Sequence, residues 1–191
     1  MKKLNNYLFQ KRALKYVQAT QYEPIFIDYQ HIKTVLLLFE SDFSEKNPLV
    51  RRIIALLQRD GKKVSAWGYI QKKEISTSIL PDFRILHHKH VDFFEKPETS
   101  FQNELNNLEF DLVIDLTLRP LVPLQYLLLY TRSAFKVGIH HNHKPSLYNF
   151  ILNIENSTDS NPTDESPVTP VNELYVFNQI IFYLKSIQSN D

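Results

Sequence analysis

Short apolar runs alternate with helix-like segments along this chain, and this order constrains the fold more than any other feature. Residues 33–40, KTVLLLFE, form a nearly uninterrupted apolar run of the kind found in parallel strands buried on both faces. Residues 47–61, NPLVRRIIALLQRDG, follow with apolar positions at helical spacing. Asn47 and Pro48 favour a helix start there, and Gly61 favours the position just past the helix end.

The same alternation continues to residue 141. Further strands are predicted at residues 62–70, 83–88, 110–118 and 135–141, with helices at 99–108 and after Pro123. Trp67 and Tyr69 are predicted to be packing residues of the second strand. Residues 147–155 are too short for their periodicity to distinguish a sixth strand from a helix. The alternation predicts an α/β, Rossmann-like, doubly wound fold: a mostly parallel sheet of about five or six strands in the order 3-2-1-4-5, with helices on both faces.

Four units are expected along the chain. Residues 1–30 are predicted to form an amino-terminal helical extension, and residues 31–154 the Rossmann-like domain. Residues 155–170, ENSTDSNPTDESPVTP, are acidic, rich in proline and poor in apolar side chains, so we expect a flexible loop. Residues 171–191 have apolar positions at helical spacing and are predicted to form a helix that docks back on the domain.

Charge and cysteine content narrow the class of protein. The chain has 22 Lys plus Arg against 21 Asp plus Glu, so its overall field favours neither nucleic acid nor an anionic membrane. It has no cysteine, which excludes disulfides and thiolate metal sites and suits a reducing compartment. No apolar run reaches the roughly 20 residues of a membrane span, and the first residues lack the apolar region of a signal peptide. We therefore expect a cytoplasmic protein with no cofactor, no nucleic-acid partner and no transmembrane segment.

Four charged residues near the predicted carboxyl ends of strands one and four are candidate ligand-binding residues: Glu40, Asp42, Asp115 and Arg119. Doubly wound domains bind ligands at this edge of the sheet. Asp115 is also open to a structural interpretation, as a carboxylate that accepts hydrogen bonds from the loop backbone. Arg119 suits an anion because a guanidinium donates two parallel hydrogen bonds, although a solvated arginine is the simpler interpretation. No catalytic residue is identified.

Six of the 7 histidines fall in two clusters, HHKH at residues 87–90 and HHNH at residues 140–143. Histidines two apart on a strand share a face, which is a workable spacing for metal ligands. The clusters belong to strands three and five, which lie about 19 Å apart in the predicted sheet at about 4.8 Å per strand. We therefore expect no metal site. Phosphate loops and glycine-rich dinucleotide motifs are also missing from this chain, which has 3 glycines.

Three motifs, VDFFEKP (91–97), FDLVIDLTL (110–118) and SAFKVG (133–138), resemble a family of uncharacterised proteins from the Bacteroidota. The segment from FDLVIDLTLRP to SAFKVGI is also distantly similar to the amino-terminal, Rossmann-like half of heptosyltransferase-type glycosyltransferases of the GT-B architecture. Those enzymes carry a glycine–aspartate pair in the loop after their first strand, whereas this chain has ESDFSEKNP. The resemblance implies a binding domain, and the missing glycine–aspartate pair argues against that catalytic mechanism.

Three functional hypotheses follow. The leading one is a non-catalytic binding or interaction module that takes a protein partner or a small anionic or sugar-like ligand. The alternative is a small enzyme acting on a sugar-like or phosphorylated ligand at the crevice between strands one and four. The third is peripheral association with membrane or RNA through Lys2, Lys3, Lys11, Arg12 and Lys15. We expect that amino-terminal helix to pack on protein rather than on lipid, because its apolar positions are scattered.

Overall fold

The computed structural model of the chain describes residues 2–19, 25–41, 46–71, 83–140, 147–154 and 171–187. The strands in these ranges are β1 (Thr34–Glu40), β2 (Lys63–Ile70), β3 (Arg84–His87), β4 (Glu109–Asp115), β5 (Arg132–Ile139) and β6 (Phe150–Leu152). They form one parallel sheet in the order β3-β2-β1-β4-β5-β6. The predicted Rossmann-like fold is confirmed, and residues 147–155 contribute a sixth strand rather than a helix. The predicted acidic loop, 155–170, lies outside the described residues.

The helices of the described ranges cover this sheet. They are α1 (Lys2–Ala19), α2 (Pro48–Arg59), α3 (Thr99–Asn106), α4 (Val122–Tyr130) and α5 (Glu173–Ser186), with short 3-10 turns at Tyr29–His31 and His88–His90. Within those ranges no helix has both the length and the apolar character needed to cross a bilayer.

The two faces of the sheet carry separate apolar cores because side chains alternate along each strand. Val35, Leu37 and Phe39 of β1 belong to the core that α2 and α5 cover. Leu36 and Leu38 belong to the opposite core, which α3 and α4 cover. All five side chains are fully buried, and each burial is worth roughly 1.5–3 kcal/mol. This two-sided burial explains why β1 has an almost continuous apolar sequence.

The helix ends lie close to the positions that the sequence predicts. Gly61 follows α2 with a φ of +77°, the left-handed conformation that commonly ends a helix. Asn47 precedes α2 as predicted, but its side chain donates to Ser41 Oγ at 3.1 Å instead of capping the first turn. α4 begins one residue before Pro123, which occupies the first turn, where its missing N–H costs nothing.

α1 packs on the side of α4 that faces away from the sheet. Phe9 and Ala13 of α1 are buried there against Tyr126 and its neighbours on α4. The Phe9 and Tyr126 rings meet edge to face with centroids 4.9 Å apart, and Arg12 donates to the Tyr126 hydroxyl at 3.0 Å. α4 therefore has protein on both sides, which explains why its sequence, VPLQYLLLY, is apolar all round.

A cluster around Tyr29 ties α5 to the amino-terminal edge of the sheet. Asp60 Oδ2 accepts from the Tyr29 hydroxyl at 2.8 Å and from Lys185 Nζ of α5 at 3.0 Å. These two donors, Lys185 first, hold the pKa of Asp60 below its usual value. Lys62 Nζ donates to the carbonyl oxygens of Tyr29 at 2.6 Å and Ile32 at 2.7 Å. It also lies 4.6 Å from the centroid of the Tyr29 ring, a favourable cation–π distance.

Lys62→Met is expected to lower the free energy of unfolding by about 1–3 kcal/mol, because two buried carbonyl oxygens lose their donor. Lys63→Met is the matched control, since Lys63 is exposed and its variant should stay within about 0.5 kcal/mol of the wild type. Urea unfolding followed by circular dichroism measures both. Equal stability of the two variants would contradict this role of Lys62.

Candidate functional site

Glu40, Asp115 and Arg119 lie together at the carboxyl-terminal edge of the two central strands. Glu40 ends β1 and Asp115 ends the neighbouring β4, where Asp115 is opposite Leu38. Alternation along the strands places both carboxylates on the face that α3 and α4 cover, with Leu38. Arg119 follows β4 in the loop to α4 and turns back towards Glu40. The fourth predicted residue, Asp42, lies outside the described residues.

The Asp115 carboxylate holds the loop after β4 and a distant tyrosine. Its side chain is buried, with the residue only 2% exposed. Oδ1 accepts from the backbone nitrogen of Thr117 at 2.9 Å and from Thr117 Oγ1 at 2.7 Å, and Oδ2 accepts from the Tyr148 hydroxyl at 2.6 Å. Burial and the Asp115 charge raise the pKa of Tyr148, so this hydroxyl remains a donor. These are the contacts expected of a carboxylate that fixes the loop backbone.

Tyr148 reaches Asp115 by lying across Gly138 of β5. A Cβ atom on Gly138 would come within 2.5 Å of Cε1 and 2.8 Å of Cζ in the Tyr148 ring. The ring therefore fills the space that any side chain at position 138 would need. The final glycine of the SAFKVG motif makes room for the hydroxyl that bonds Asp115.

The lysine of the same motif supports α4. Lys136 Nζ donates to the carbonyl oxygen of Leu128 at 2.7 Å, in the last turn of α4, where carbonyl groups lack partners within the helix. Burial lowers the pKa of Lys136 to about 8. Lys136 thus supports α4, and Gly138 makes room for Tyr148, which bonds Asp115.

Glu40 at the end of β1 and Arg119 in the loop after β4 form an ion pair with two hydrogen bonds. Arg119 Nε donates to Glu40 Oε2 at 2.8 Å, and its Nη2 donates to Glu40 Oε1. The hydrogen bond from Glu40 raises the pKa of Arg119. The two side chains are 35% and 51% exposed, so the pair presents both an acceptor and donors to solvent. Such a fork suits polar ligands that can bond to both groups.

Tyr69, which the sequence analysis assigns to packing, also belongs to this edge. It pairs in register with Glu40, and the residue is 3% exposed. Burial, followed by the charge of Glu95, raises the pKa of Tyr69 to about 12. The charge of Arg119 lowers this pKa and that of Glu40 raises it. Tyr69 lies near the carboxyl end of β2, where doubly wound domains bind ligands, and this place in the strand is the feature of the sequence that indicates a site residue.

Glu95 comes from the VDFFEKP motif, which forms a tight turn after β3. Asp92 Oδ1 accepts from the backbone nitrogens of Phe94 at 2.8 Å and Lys96 at 2.9 Å. Glu95 adopts a φ of +61°, and its backbone nitrogen donates to the Asp92 carbonyl at 2.9 Å. The motif therefore fixes the backbone that carries Glu95 towards Tyr69.

The first histidine cluster contributes to packing. The backbone nitrogen of His87 donates to His90 Nδ1 at 3.1 Å, and the His90 ring centroid lies 5.1 Å from that of Phe101. Burial lowers the pKa of His90. In the part of the chain that the structure describes, no group of three or more histidine, cysteine or carboxylate side chains could hold a metal ion. His141 and His143 of the second cluster lie outside that part.

Residues 2–165 match the model of a protein family described as "Family of unknown function (DUF6913)". The chain belongs to this family. No curated protein and no solved structure matches it. The family description assigns no activity, so the geometry of the site is the basis for the function proposed below.

Asp115→Asn is expected to lower the free energy of unfolding by about 1–3 kcal/mol, because the amide replaces one acceptor oxygen with a donor and removes the charge. Glu109→Gln on the same strand is the matched control, since the Glu109 side chain is 82% exposed. Denaturant unfolding compares the two. An Asp115→Asn protein at least as stable as the wild type would favour a carboxylate kept for a ligand at the cost of stability.

Lys136→Met tests the buried amine through pH. The folded pKa of about 8 lies below the usual 10.5, so the unfolded chain binds the proton more tightly and the wild type gains stability as pH rises between these values. The stability of the wild type minus that of Lys136→Met should therefore be constant below pH 8 and increase from there to pH 10.5. Urea unfolding across this range measures it, with exposed Lys63→Met as control. A difference that does not change with pH would show that Lys136 titrates normally.

Proposed function

We propose that this domain is a non-catalytic binding module whose ligand sits at the carboxyl-terminal edge of the sheet, between the loops that follow β1 and β4. Asp115 positions the loop after β4, and Glu40 and Arg119 contact the ligand. Asp42 belongs to the same proposed site by its place in the sequence, two residues after Glu40. The observation that carries this proposal is the half-exposed, two-bond pair of Glu40 and Arg119 at the point where neighbouring strands lead to opposite faces.

The contacts of the two carboxylates favour binding over catalysis. A general base needs a carboxylate within reach of the ligand proton and free to accept it. Glu40 is held by a guanidinium, and Asp115 is buried and accepts from Thr117 and Tyr148. Both carboxylates are thus already occupied by protein donors, unlike a carboxylate positioned to act on a ligand proton. The alternative of a small enzyme acting on a sugar-like or phosphorylated ligand therefore has weaker support.

The distant relation to one half of a GT-B glycosyltransferase is part of the same proposal. It is supported by the strand order of the sheet and by the position of FDLVIDLTL and SAFKVG on adjacent strands, β4 and β5. The proposal also includes an origin of this protein in the Bacteroidota and a cytoplasmic location. The absence of cysteine from the chain supports that location.

A thermal-shift screen tests the binding function, because a ligand that binds only the folded state raises the melting temperature. The panel contains monosaccharides, sugar phosphates, nucleotides and sugar nucleotides. At least one compound should stabilise the wild type and be recovered chemically unchanged, and Arg119→Gln should abolish the shift.

Arg84→Gln is the matched control, since Arg84 forms a comparable exposed pair with Glu104 at 2.9 Å away from the proposed site. It should leave the ligand-induced shift intact. Stabilisation that survives in Arg119→Gln would place binding elsewhere, and chemical conversion of the compound would favour the enzyme alternative.

A further inference from the structure

We propose that Tyr69 is a ligand-contacting residue of this site and that the ligand is a neutral polyhydroxylated compound, with a sugar ring as its simplest form. The inference rests on the proposed binding function and specifies the ligand class that the site accepts. It depends on three observations: the register of Tyr69 with Glu40, the absence of a hydrogen bond from its hydroxyl to any described residue, and the described charges that act on it.

The Tyr69 side chain is anchored in the core and directed along the face of the sheet that carries the site. Tyr69 belongs to the apolar cluster under α3 and α4, on the same face as Trp67 and Leu38. In register it stands opposite Glu40, whose other side is taken by Arg119. Glu40 therefore lies between Tyr69 and Arg119 at one edge of the sheet.

The Tyr69 hydroxyl makes no hydrogen bond with any residue that the structure describes. The hydroxyl oxygen is not one of the fully enclosed side-chain polar atoms that lack a partner among those residues, so it keeps some exposure to solvent, although the residue as a whole is only 3% exposed. Buried tyrosine hydroxyls ordinarily find a hydrogen-bond partner, because leaving one unsatisfied costs free energy. A hydroxyl held by a rigid, buried ring and open on one side is well prepared to bond a ligand.

The charges around Tyr69 decide between a neutral and an anionic ligand. Glu95, Arg119 and Glu40 are the charged groups that act on its hydroxyl. Among these described groups, Arg119 is already paired with Glu40, so the charge of Glu95 makes the net potential at the hydroxyl negative. None of the described groups that act on this hydroxyl is an unpaired cation, so they would repel a phosphate or carboxylate ligand.

A ligand hydroxyl fits the same groups because it can donate and accept at once. It can donate to the Glu40 carboxylate while it accepts from the Tyr69 hydroxyl or from the Arg119 guanidinium. Neighbouring hydroxyls on one ring can each form such bonds, so one ring can bond more than one of these groups. A polyhydroxylated ring therefore matches the donors and acceptors at this edge without adding charge.

The test compares wild type, Tyr69→Phe and Tyr126→Phe. The probes are neutral hexoses, heptoses and N-acetylhexosamines, the corresponding sugar phosphates, and inorganic phosphate. Affinities come from ligand-observed saturation-transfer NMR and calorimetric titration. Tyr126→Phe is the matched control, because Tyr126 is a fully buried tyrosine whose hydroxyl bonds Arg12 of α1, away from the site.

We expect at least one neutral sugar to bind the wild type and its phosphate to bind more weakly. Tyr69→Phe should weaken the sugar by about five- to tenfold, the value of one hydrogen bond, while Tyr126→Phe binds as the wild type does. Without ligand, Tyr69→Phe should melt at or slightly above the wild-type temperature, because it removes a hydroxyl that bonds none of the described residues.

Each contrary outcome identifies the claim that fails. Equal sugar affinity in Tyr69→Phe and wild type, or a clear loss of melting temperature in ligand-free Tyr69→Phe, would overturn the role of Tyr69. Tighter binding of the sugar phosphate or of inorganic phosphate would overturn the ligand class while leaving the binding function standing. Wild-type protein that binds none of these probes would overturn this inference, and the binding function would fail with it only if the wider nucleotide screen were also negative.

Discussion

β1 and β4 lie side by side and parallel, but the chain leaves them towards opposite faces of the sheet, and the candidate site depends on this divergence. The helix after β1, α2, joins the core that also contains α5, whereas the helix after β4, α4, joins the core under α3. In doubly wound domains, ligands bind at the carboxyl-terminal edge where the connections after two neighbouring strands diverge in this way. Among the described residues, Glu40 and Asp115 end these two strands, and Arg119 follows β4 and bonds Glu40.

The two carboxylates at this edge are stabilised by different means, and the difference separates a structural group from a recognition group. Asp115 is buried, and its two oxygens accept hydrogen bonds from a loop residue and a tyrosine of the protein itself. Removing one partner from such an arrangement leaves a costly unsatisfied charge. Glu40 is partly exposed and paired with an exposed arginine, so water or a ligand can share its contacts at little cost. Recognition is therefore more easily assigned to the outer pair than to Asp115.

Periodicity in the sequence was sufficient to predict the sheet, because each strand and helix is a local segment with its own pattern of burial. Contacts between distant segments were not predictable in that way. The bond between Asp115 and Tyr148 joins residues 33 positions apart, and nothing in either segment alone specifies it. The ion pair of Arg119 and Glu40 joins residues 79 positions apart. It brings two candidate ligand-binding residues of opposite charge into direct contact. The sequence predicts Tyr69 to be a packing residue, and its ring does lie in the core. Only the register of the strands shows that Tyr69 lies beside Glu40.

The three glycines of the chain explain why recognition in this domain has to rely on side chains. Gly61 ends α2 in the left-handed conformation, Gly68 lies where a Cβ would meet the Phe39 ring at 2.7 Å, and Gly138 lies beneath Tyr148. All three are used for a helix end or for close packing within the sheet, so none is left for a loop that follows a strand at the carboxyl edge. Phosphate groups in related architectures are held by backbone N–H groups of glycine-rich loops, where the missing side chain allows a close approach. A domain whose glycines serve other purposes must instead bind through carboxylate, guanidinium and hydroxyl groups, and these favour a ligand that offers hydroxyls in return.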